Sequence, residues 1–338
     1  MINYLLILIV LAFILPFICK KVEEQLEIFL FCIGIISVVI SQNLTKELFI
    51  LSLTEPIVIT IAVFIFSTIF FLFQQQLKTI IYFILDKIPL RLFLALVILV
   101  LGLASSIMTA IVASLLLIAI AGQLSMDRIS EVRFIILCCF SIGLGAVLTP
   151  IGEPLATIAT NKLNGDFFFL FSLLGKEIMV TILGISLASF FIIQPKLISS
   201  HLKPTIKKET FLEIIIRTLK IYLFIMGLTL LGTGMEPVIE KYLLTMSPYS
   251  IYWFNSISAF LDNATLAAAE LSSQMEIPTI KAILLGLMIS GGMLVPGNIP
   301  NIICANQRKI TFKEWAYVGL PIGTILMIIH FFLVVIEK

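Results

Sequence analysis

Long apolar runs separated by short polar segments dominate this chain. Eight of the runs are near the ~20 residues that one helix needs to cross a bilayer. They predict membrane spans at about 3–19, 26–42, 56–74, 134–161, 167–193, 215–236, 279–307 and 312–335. No polar stretch is long enough to form a soluble domain, so the pattern predicts an all-α polytopic membrane protein.

Two further apolar runs do not fit a single crossing. Leu92–Met126 carries no charge, and as one helix it would measure about 52 Å, too long for one crossing of about 30 Å and short for two. Residues 247–275 pose the same problem, with Asp262 and Asn263 in the middle. Both runs predict a re-entrant helical hairpin that leaves the membrane on the side where it entered.

The distribution of Lys and Arg predicts the orientation. With eight spans, two non-spanning hairpins and an outside N-terminus, sixteen basic residues lie inside, five lie outside and Lys176 lies within a span. Basic residues concentrate on the cytoplasmic side of membrane proteins. The count therefore predicts a multi-pass protein of the cell membrane whose two hairpins open to opposite sides.

The order of spans also predicts the domain organisation. Residues 1–55 are predicted to form two N-terminal spans that serve as a scaffold or as the contact of a homodimer. Residues 194–211 are predicted to form a cytoplasmic linker. Residues 56–193 and 212–338 each read as span, hairpin, broken span and span. Three crossings per repeat place the second repeat upside down relative to the first, as in inverted-repeat transporters.

Each repeat carries a segment with two prolines four residues apart, Gly145–Thr160 in the first and Gly291–Asn306 in the second. Alignment by sequence pairs Gly145 with Gly291, Pro150 with Pro296 and Pro154 with Pro300. Proline removes a backbone donor and clashes with the preceding turn, so both helices are predicted to break, the first at Pro150 or nearer 143–145. Matched breaks of this kind mark transporter binding sites, because freed backbone groups must be buried or line a cavity.

Composition agrees with a membrane protein. Of the 338 residues 60% are hydrophobic and 12% are charged, and the mean hydropathy is +1.16. The five cysteines are an odd number within apolar runs, which favours buried thiols over disulfides. The predicted partners are membrane lipids and a small ion, and nucleic acid is excluded.

Polar residues at the hairpin tips and breaks are the candidate ion ligands. Hydroxyl, amide and carboxylate oxygens suit a hard cation such as Na⁺, and freed backbone carbonyls can complete its shell. The candidates are Ser105, Ser106, Thr109, Thr149, Gly152 and Glu153 in the first repeat, and Asp262, Asn263, Thr265, Asn298 and Asn301 in the second. The Na⁺ site is expected at the tips, with Asp262 and Asn263 as ligands. The alternative for the hydroxyls is that they bond only to their own helix backbone.

Two carboxylates, Glu153 and Asp262, are the sharpest candidates. A carboxylate inside the membrane costs several kcal/mol unless it is paired, hydrated or protonated. Burial favours its protonated form and a bound cation its ionised form, so one group can exchange a proton for Na⁺. The alternative is a structural carboxylate, held by Lys176 or by freed backbone N–H groups. Lys176 is expected to couple protons together with Asp262 and Glu153, and it is a possible partner of Glu153. Lys176 and Glu177 form an ion pair within the membrane or reach outward to its interface, and the pair is the favoured interpretation.

Two other titratable residues receive lesser roles. Glu270 lies two turns beyond the second hairpin tip and is expected near water, in an entry path. His330 lies close to the outer end of the last span and is expected to be an ordinary interfacial residue.

The order of these motifs resembles a known superfamily. Residues 105–109 followed by 149–154, and 258–263 followed by 295–300, are similar to the hairpin and TPIG-like turns of the ion transporter superfamily. That group includes NhaD-type sodium/proton antiporters, arsenite permeases and divalent-anion symporters, and the resemblance is closest to small prokaryotic predicted cation transporters. It implies elevator-type movement of hairpins and broken helices against a scaffold. The first hairpin departs from the pattern, since it has no Asn or Asp at its tip.

The predicted function is secondary active transport, with Na⁺/H⁺ antiport by alternating access as the leading hypothesis. Na⁺ and H⁺ are then transported ions, and no cofactor is expected. Sodium-coupled transport of a small carboxylate or other anion is the alternative, followed by arsenite-type efflux. An enzyme is not expected, because the two histidines lie far apart and no GxSG or HExxH motif occurs.

Overall fold

A computed structural model describes residues 1–124, 126–195, 211–243, 247–261 and 263–335. Within these residues the regular structure is helical, and six helices are long and apolar enough to cross a membrane. The prediction of an all-α polytopic membrane protein is confirmed at this level. The five cysteines are free thiols, and Cys138, Cys139 and Cys304 are buried.

The N-terminal helices pack against the second half of the chain. They are α1 (Ile2–Ile18), α2 (Lys20–Glu24), α3 (Leu26–Ser41) and α4 (Lys46–Leu85). Helix α3 packs along α10 (Phe211–Leu243), where a side chain on Gly34 would collide with the backbone of Gly227. Helix α4 is much longer than the predicted span at 56–74.

The first half of the chain continues with five helices. They are α5 (Leu90–Met108), α6 (Ala110–Gln123), α7 (Arg128–Ala146), α8 (Pro154–Lys162) and α9 (Phe169–Ile192). A single residue, Thr109, joins α5 to α6 with a φ of 74°, in the region that favours glycine. Helix α5 has 19 residues and alone is long enough for a crossing, which exceeds the length expected of one hairpin arm.

The second half follows α10 with the same kind of interruptions. Its elements are α11 (Pro248–Phe254), a 3₁₀ segment (Asn255–Ala259), α12 (Asn263–Glu270), α13 (Ile277–Gly291), a 3₁₀ turn (Val295–Gly297), α14 (Ile299–Arg308), α15 (Phe312–His330) and a π-helical turn (Phe331–Val335). The predicted span at 279–307 is therefore two helices, α13 and α14.

The core centres on α7 and α13, which contact each other. Buried residues run almost without a gap along both helices, from Phe134 to Ala146 and from Ala282 to Gly291. A helix that is apolar on all sides is enclosed by protein. Because both helices end in the interior, the polar backbone beyond them lies inside the molecule.

Cross-element ion pairs lie near the two ends of the helix bundle. The basic-residue count predicted the basic partners of four pairs to lie inside and that of the fifth pair to lie outside. Pairs from the side predicted to be inside are Arg128–Glu314 (2.8 Å), Lys313–Glu23 (3.4 Å), Lys220–Glu27 (3.5 Å) and Arg308–Glu131. The pair from the other side is Lys281–Glu177 (2.9 Å). The first four pairs join α7 to α14 and α15, and join α2 and α3 to α15 and α10.

Candidate functional site

Both central helices are interrupted where the prolines predict. In the first half α7 ends at Ala146 and α8 begins at Pro154, with residues 147–153 between them. In the second half α13 ends at Gly291 and α14 begins at Ile299, with residues 292–298 between them. The first break thus starts after Ala146, between the two predicted positions, 143–145 and Pro150.

The two breaks follow the same backbone path. The amide of Gly152 donates to the Thr149 carbonyl (3.1 Å), as the amide of Gly297 does to Leu294 (3.3 Å). The helices that follow also end alike, at Asn164 with φ 52° and at Lys309 with φ 51°. Backbone hydrogen bonds of the first break recur in the second, and the difference in residue number between corresponding residues is the same for each of them.

This register differs by one residue from the alignment by sequence. It pairs Gly152 with Gly297 and Glu153 with Asn298, so Pro154 stands opposite Ile299 and not opposite Pro300. A side chain on either glycine would press on the end of the preceding helix, at Ala146 or at Gly291. The shared requirement for glycine, and not the prolines, therefore sets the correspondence.

Each break is bound in a similar way to the segment that was predicted to form a hairpin. The hydroxyl of Ser105 donates to the Ile142 carbonyl (2.9 Å), and that of Ser258 donates to the Leu287 carbonyl (3.1 Å). One turn further along the second half, the Ser290 hydroxyl donates to the Asn255 carbonyl (2.7 Å). In the first half, the corresponding close contact joins Gly145 and the Gly102 carbonyl.

In the first half, the candidate hydroxyls are occupied by the backbone. Ser106 donates to the Leu103 carbonyl (2.8 Å), and Thr149 donates to the carbonyl of Ser106. The Thr109 hydroxyl accepts from the amide of Val112 at 3.3 Å and caps α6. Ser106 and Thr109 thus follow the alternative in which hydroxyls bond to the backbone of their own helix, whereas Ser105 and Thr149 donate to the backbone of a neighbouring element.

Glu153 and Asn298 occupy equivalent N-cap positions in the interior. Glu153 precedes α8 with 6% of its surface exposed, and Asn298 precedes α14 with 4% exposed. The N-terminus of a helix carries partial positive charge, which favours a carboxylate there. The Asn298 amide lies where a side chain on Gly143 would be, at 2.6 Å, so the second break meets α7 of the first half.

The predicted pairing of Lys176 with Glu153 is not found among the described residues. The side chain of Lys176 is exposed and forms no hydrogen bond or ion pair with Glu153 in the part of the chain that is described. Glu177 pairs with Lys281 of α13 at 2.9 Å, and not with its neighbour Lys176. The ion pair therefore joins α9 to α13. Adjacent residues on one helix, such as Lys176 and Glu177, do not face each other.

In the second half, the candidate amides are buried against the break. Asn301 is 0% exposed, and its amide donates to the carbonyls of Gly291 and Leu294 at 2.8 Å each. Asn263 is buried, with its amide nitrogen close to Gly291. Asp262 and the side chain of Thr265 lie outside the described residues. Two of the predicted ligands of the second half, Asn263 and Asn301, thus lie beside the second break.

Sequence reasoning missed a polar group beside this break. Asn255 and Glu270 are both buried and hydrogen-bonded to each other at 2.8 Å. The expectation that Glu270 lies near water is wrong, since α12 packs between α8, α10 and α13. The available signal was that Asn255 and Glu270 lie in the same apolar run as Asp262 and Asn263.

His330 also departs from its expected place. It is buried, and its Nε2 lies 2.8 Å from the hydroxyl of Thr181. With Lys176 and Glu177 it borders an aliphatic groove of about 600 Å³ between α9 and α15. The groove includes neither break, so the buried polar groups and the groove are separate features.

These features define an all-helical polytopic membrane protein with two interrupted helices whose breaks are lined by buried polar groups. The chain belongs to the DUF1646 family, which is described as a protein of unknown function, and the match covers residues 2–337. None of the curated proteins matches it.

Proposed function

We propose that the protein is a secondary active transporter that exchanges a small cation, Na⁺, for protons by alternating access. The observation that carries the proposal is the pair of interrupted helices with one backbone path, which bring Glu153 and Asn298 to equivalent N-cap positions in the interior. A helix that stops at membrane depth leaves backbone groups free, and transporters use such breaks as ion sites.

The arrangement of the hairpins supports an inverted repeat. Near one end of the bundle, Gly122 at the end of α6 lies beside Arg308, and Ser186 of α9 donates to the carbonyl of Ala95 near the start of α5. These contacts support a first hairpin whose first arm starts, and whose second arm finishes, on the side predicted to be cytoplasmic. The second hairpin has its contacts at the other end, where Tyr252 donates to the carbonyl of Met327 at 2.8 Å and Lys162 donates to Ala268.

The chemistry of the two halves favours a cation over an anion. The breaks and hairpins present carboxylate and amide oxygens, which are ligands for hard cations. Arginine binds carboxylates and phosphates through its two-pronged guanidinium. Here Arg128 and Arg308 already bind Glu314 and Glu131. Asp262 and Asn263, with Glu153 from the first half, are the residues that we assign to the cation.

Inside-out membrane vesicles test this function. A pH gradient is established, and Na⁺ is added while a fluorescent dye reports the gradient. We expect Na⁺ and Li⁺ to dissipate the gradient, Asp262→Asn to abolish the effect, and Asp86→Asn, an exposed aspartate at the end of α4, to leave it unchanged. Vesicles in which neither ion moves protons, but in which Na⁺ drives succinate accumulation, would identify sodium-coupled anion transport instead.

A further inference from the structure

The buried pair of Glu270 and Asn255 lacks one hydrogen. Glu270 is 2% exposed, and its Oε2 accepts from the Asn255 amide at 2.8 Å. Its Oε1 and the Oδ1 of Asn255 are both buried and have no hydrogen-bond partner among the described residues. Two unpartnered acceptors in the interior cost free energy, because each has lost its water.

A proton on Glu270 would supply the donor that this pair lacks. A carboxylic acid and a primary amide pair through two hydrogen bonds, one from N–H to the carbonyl oxygen and one from O–H to the amide oxygen. The first of these bonds is present. The second requires the carboxyl in its protonated form, and the same burial penalises an uncompensated carboxylate.

The charged groups described on the elements around α12 do not bind Glu270. The helix packs against α8, α10, α13 and the 3₁₀ segment at Asn255–Ala259. Charged side chains described on these elements are Lys162, which donates to the Ala268 carbonyl, Lys281, which pairs with Glu177, Lys220, which pairs with Glu27, Glu236, which accepts from Asn43, and Lys241, which lies over the Tyr242 ring. The N-caps of α8 and α13 add the buried Glu153 and the exposed Glu276. None of them forms an ion pair or hydrogen bond with Glu270 in the described structure. A cation that would hold Glu270 ionised is therefore not supplied by these residues.

The first half of the chain fills the corresponding positions with apolar residues. Gly102 stands where Asn255 stands, since their carbonyls meet Gly145 and Ser290 respectively. Counted from the start of each helix, Leu117 of α6 corresponds to Glu270 of α12, and it is fully buried. Because the same packing is achieved with glycine and leucine, the polar pair is not required by the fold.

We propose that Glu270 is the proton-binding site of the antiporter, separate from the cation site at Asp262 and Asn263. The inference rests on the proposed function and deepens it. Na⁺ and H⁺ then do not compete for one carboxylate. Release of the proton from Glu270 accompanies the rearrangement of the second hairpin, which exposes the pair to water on one side.

Purified protein in proteoliposomes separates the two ions. We expect Glu270→Gln to keep ²²Na⁺/Na⁺ exchange within about twofold of wild type and to lose at least 90% of Na⁺-driven proton movement. The paired variant Asn255→Gly with Glu270→Leu, which reproduces the first half, should elute as a folded species with the same uncoupled exchange. Asp262→Asn should lose both activities.

Other results would overturn the assignment. Proton movement that persists in Glu270→Gln rules it out, and loss of both activities in a folded Glu270→Gln protein places the residue in the cation site. Infrared spectra supply a readout without transport: the carboxylic-acid C=O band of the purified protein at neutral pH should weaken in Glu270→Gln. If wild type shows no Na⁺-dependent proton movement, antiport itself fails, and an unchanged band in Glu270→Gln would separately refute the protonated carboxyl.

Discussion

Asn301 offers the clearest test of how the second break is held. Its amide donates to the carbonyls of Gly291 and Leu294 at 2.8 Å each, and thereby ties the first turn of α14 to the end of α13 and to the first half of the loop 292–298. The corresponding residue of the first half is Ala156, which follows from the shared backbone hydrogen bonds. Asn301→Ala therefore removes two side-chain bonds that only the second half has.

The cost follows from what each carbonyl loses. A hydrogen bond contributes about 1 kcal/mol net, and a buried acceptor left without a partner costs about 1–3 kcal/mol. The Leu294 carbonyl still accepts a hydrogen bond from the Gly297 amide at 3.3 Å, so it keeps one partner in the variant. Asn301→Ala should then destabilise the closed loop by about 2–3 kcal/mol, which raises the population of its open form roughly 30- to 150-fold.

Cys139 reports this opening. Its Sγ lies 3.8 Å from the Pro300 carbonyl, beneath the first turn of α14, and the thiol is buried. In a variant that keeps this cysteine alone, the rate of maleimide labelling should rise by the same 30- to 150-fold in Asn301→Ala. Asn161→Ala, an exposed asparagine of α8, is the control and should leave the rate within about twofold. Equal labelling rates in the two variants would refute the role assigned to Asn301.

Two further predictions address packing and charge. Gly145→Ala should abolish the folded species in size-exclusion chromatography, because the added Cβ would overlap the carbonyl oxygen of Gly102. The control Gly184→Ala places its Cβ in open space and should behave as wild type. A folded Gly145→Ala protein would contradict this contact. Lys281→Met should lower thermal stability in detergent, because Glu177 loses its ion-pair partner. Adding Glu177→Gln should recover part of the loss, because the unpaired charge is removed. A double variant less stable than Lys281→Met would show that the two residues are not coupled.

The interruptions of the central helices could be predicted from the sequence, because two prolines in an apolar run exclude a continuous helix. Their exact register could not. The prolines align by spacing, but in three dimensions the chain must pass close to the end of the preceding helix, and only the glycines at 152 and 297 permit this approach. Contacts between non-adjacent segments thus decide which residue faces which, and Glu153 corresponds to Asn298.

The candidate site was predicted in part for a similar reason. Polar residues in apolar runs identified Asn263, Asn298 and Asn301, all of which are buried near the second break. The environment of Glu270 could not be read locally, because α8 and α10, which cover it, are distant in the chain. The hydroxyls of the first half satisfy their own hydrogen bonds with the backbone, a choice that depends on local geometry and not on composition.

The length of α4 shows a further limit of hydropathy. The span was predicted at 56–74, whereas the helix runs from Lys46 to Leu85. Apolar runs locate the bilayer core, while helices continue through polar residues wherever the backbone bonds persist. Membrane boundaries and helix boundaries are therefore different quantities.

Sodium/proton exchange by the purified protein tests the central claim most directly. Proteoliposomes that contain only this chain are loaded with a pH-sensitive dye at equal pH on both sides, and an inward Na⁺ gradient is imposed. We expect outward proton movement, seen as lumenal alkalinisation, that Li⁺ also supports and that Asp262→Asn eliminates. Unchanged lumenal pH with wild-type protein, in vesicles shown to be sealed and to contain folded protein, would contradict it.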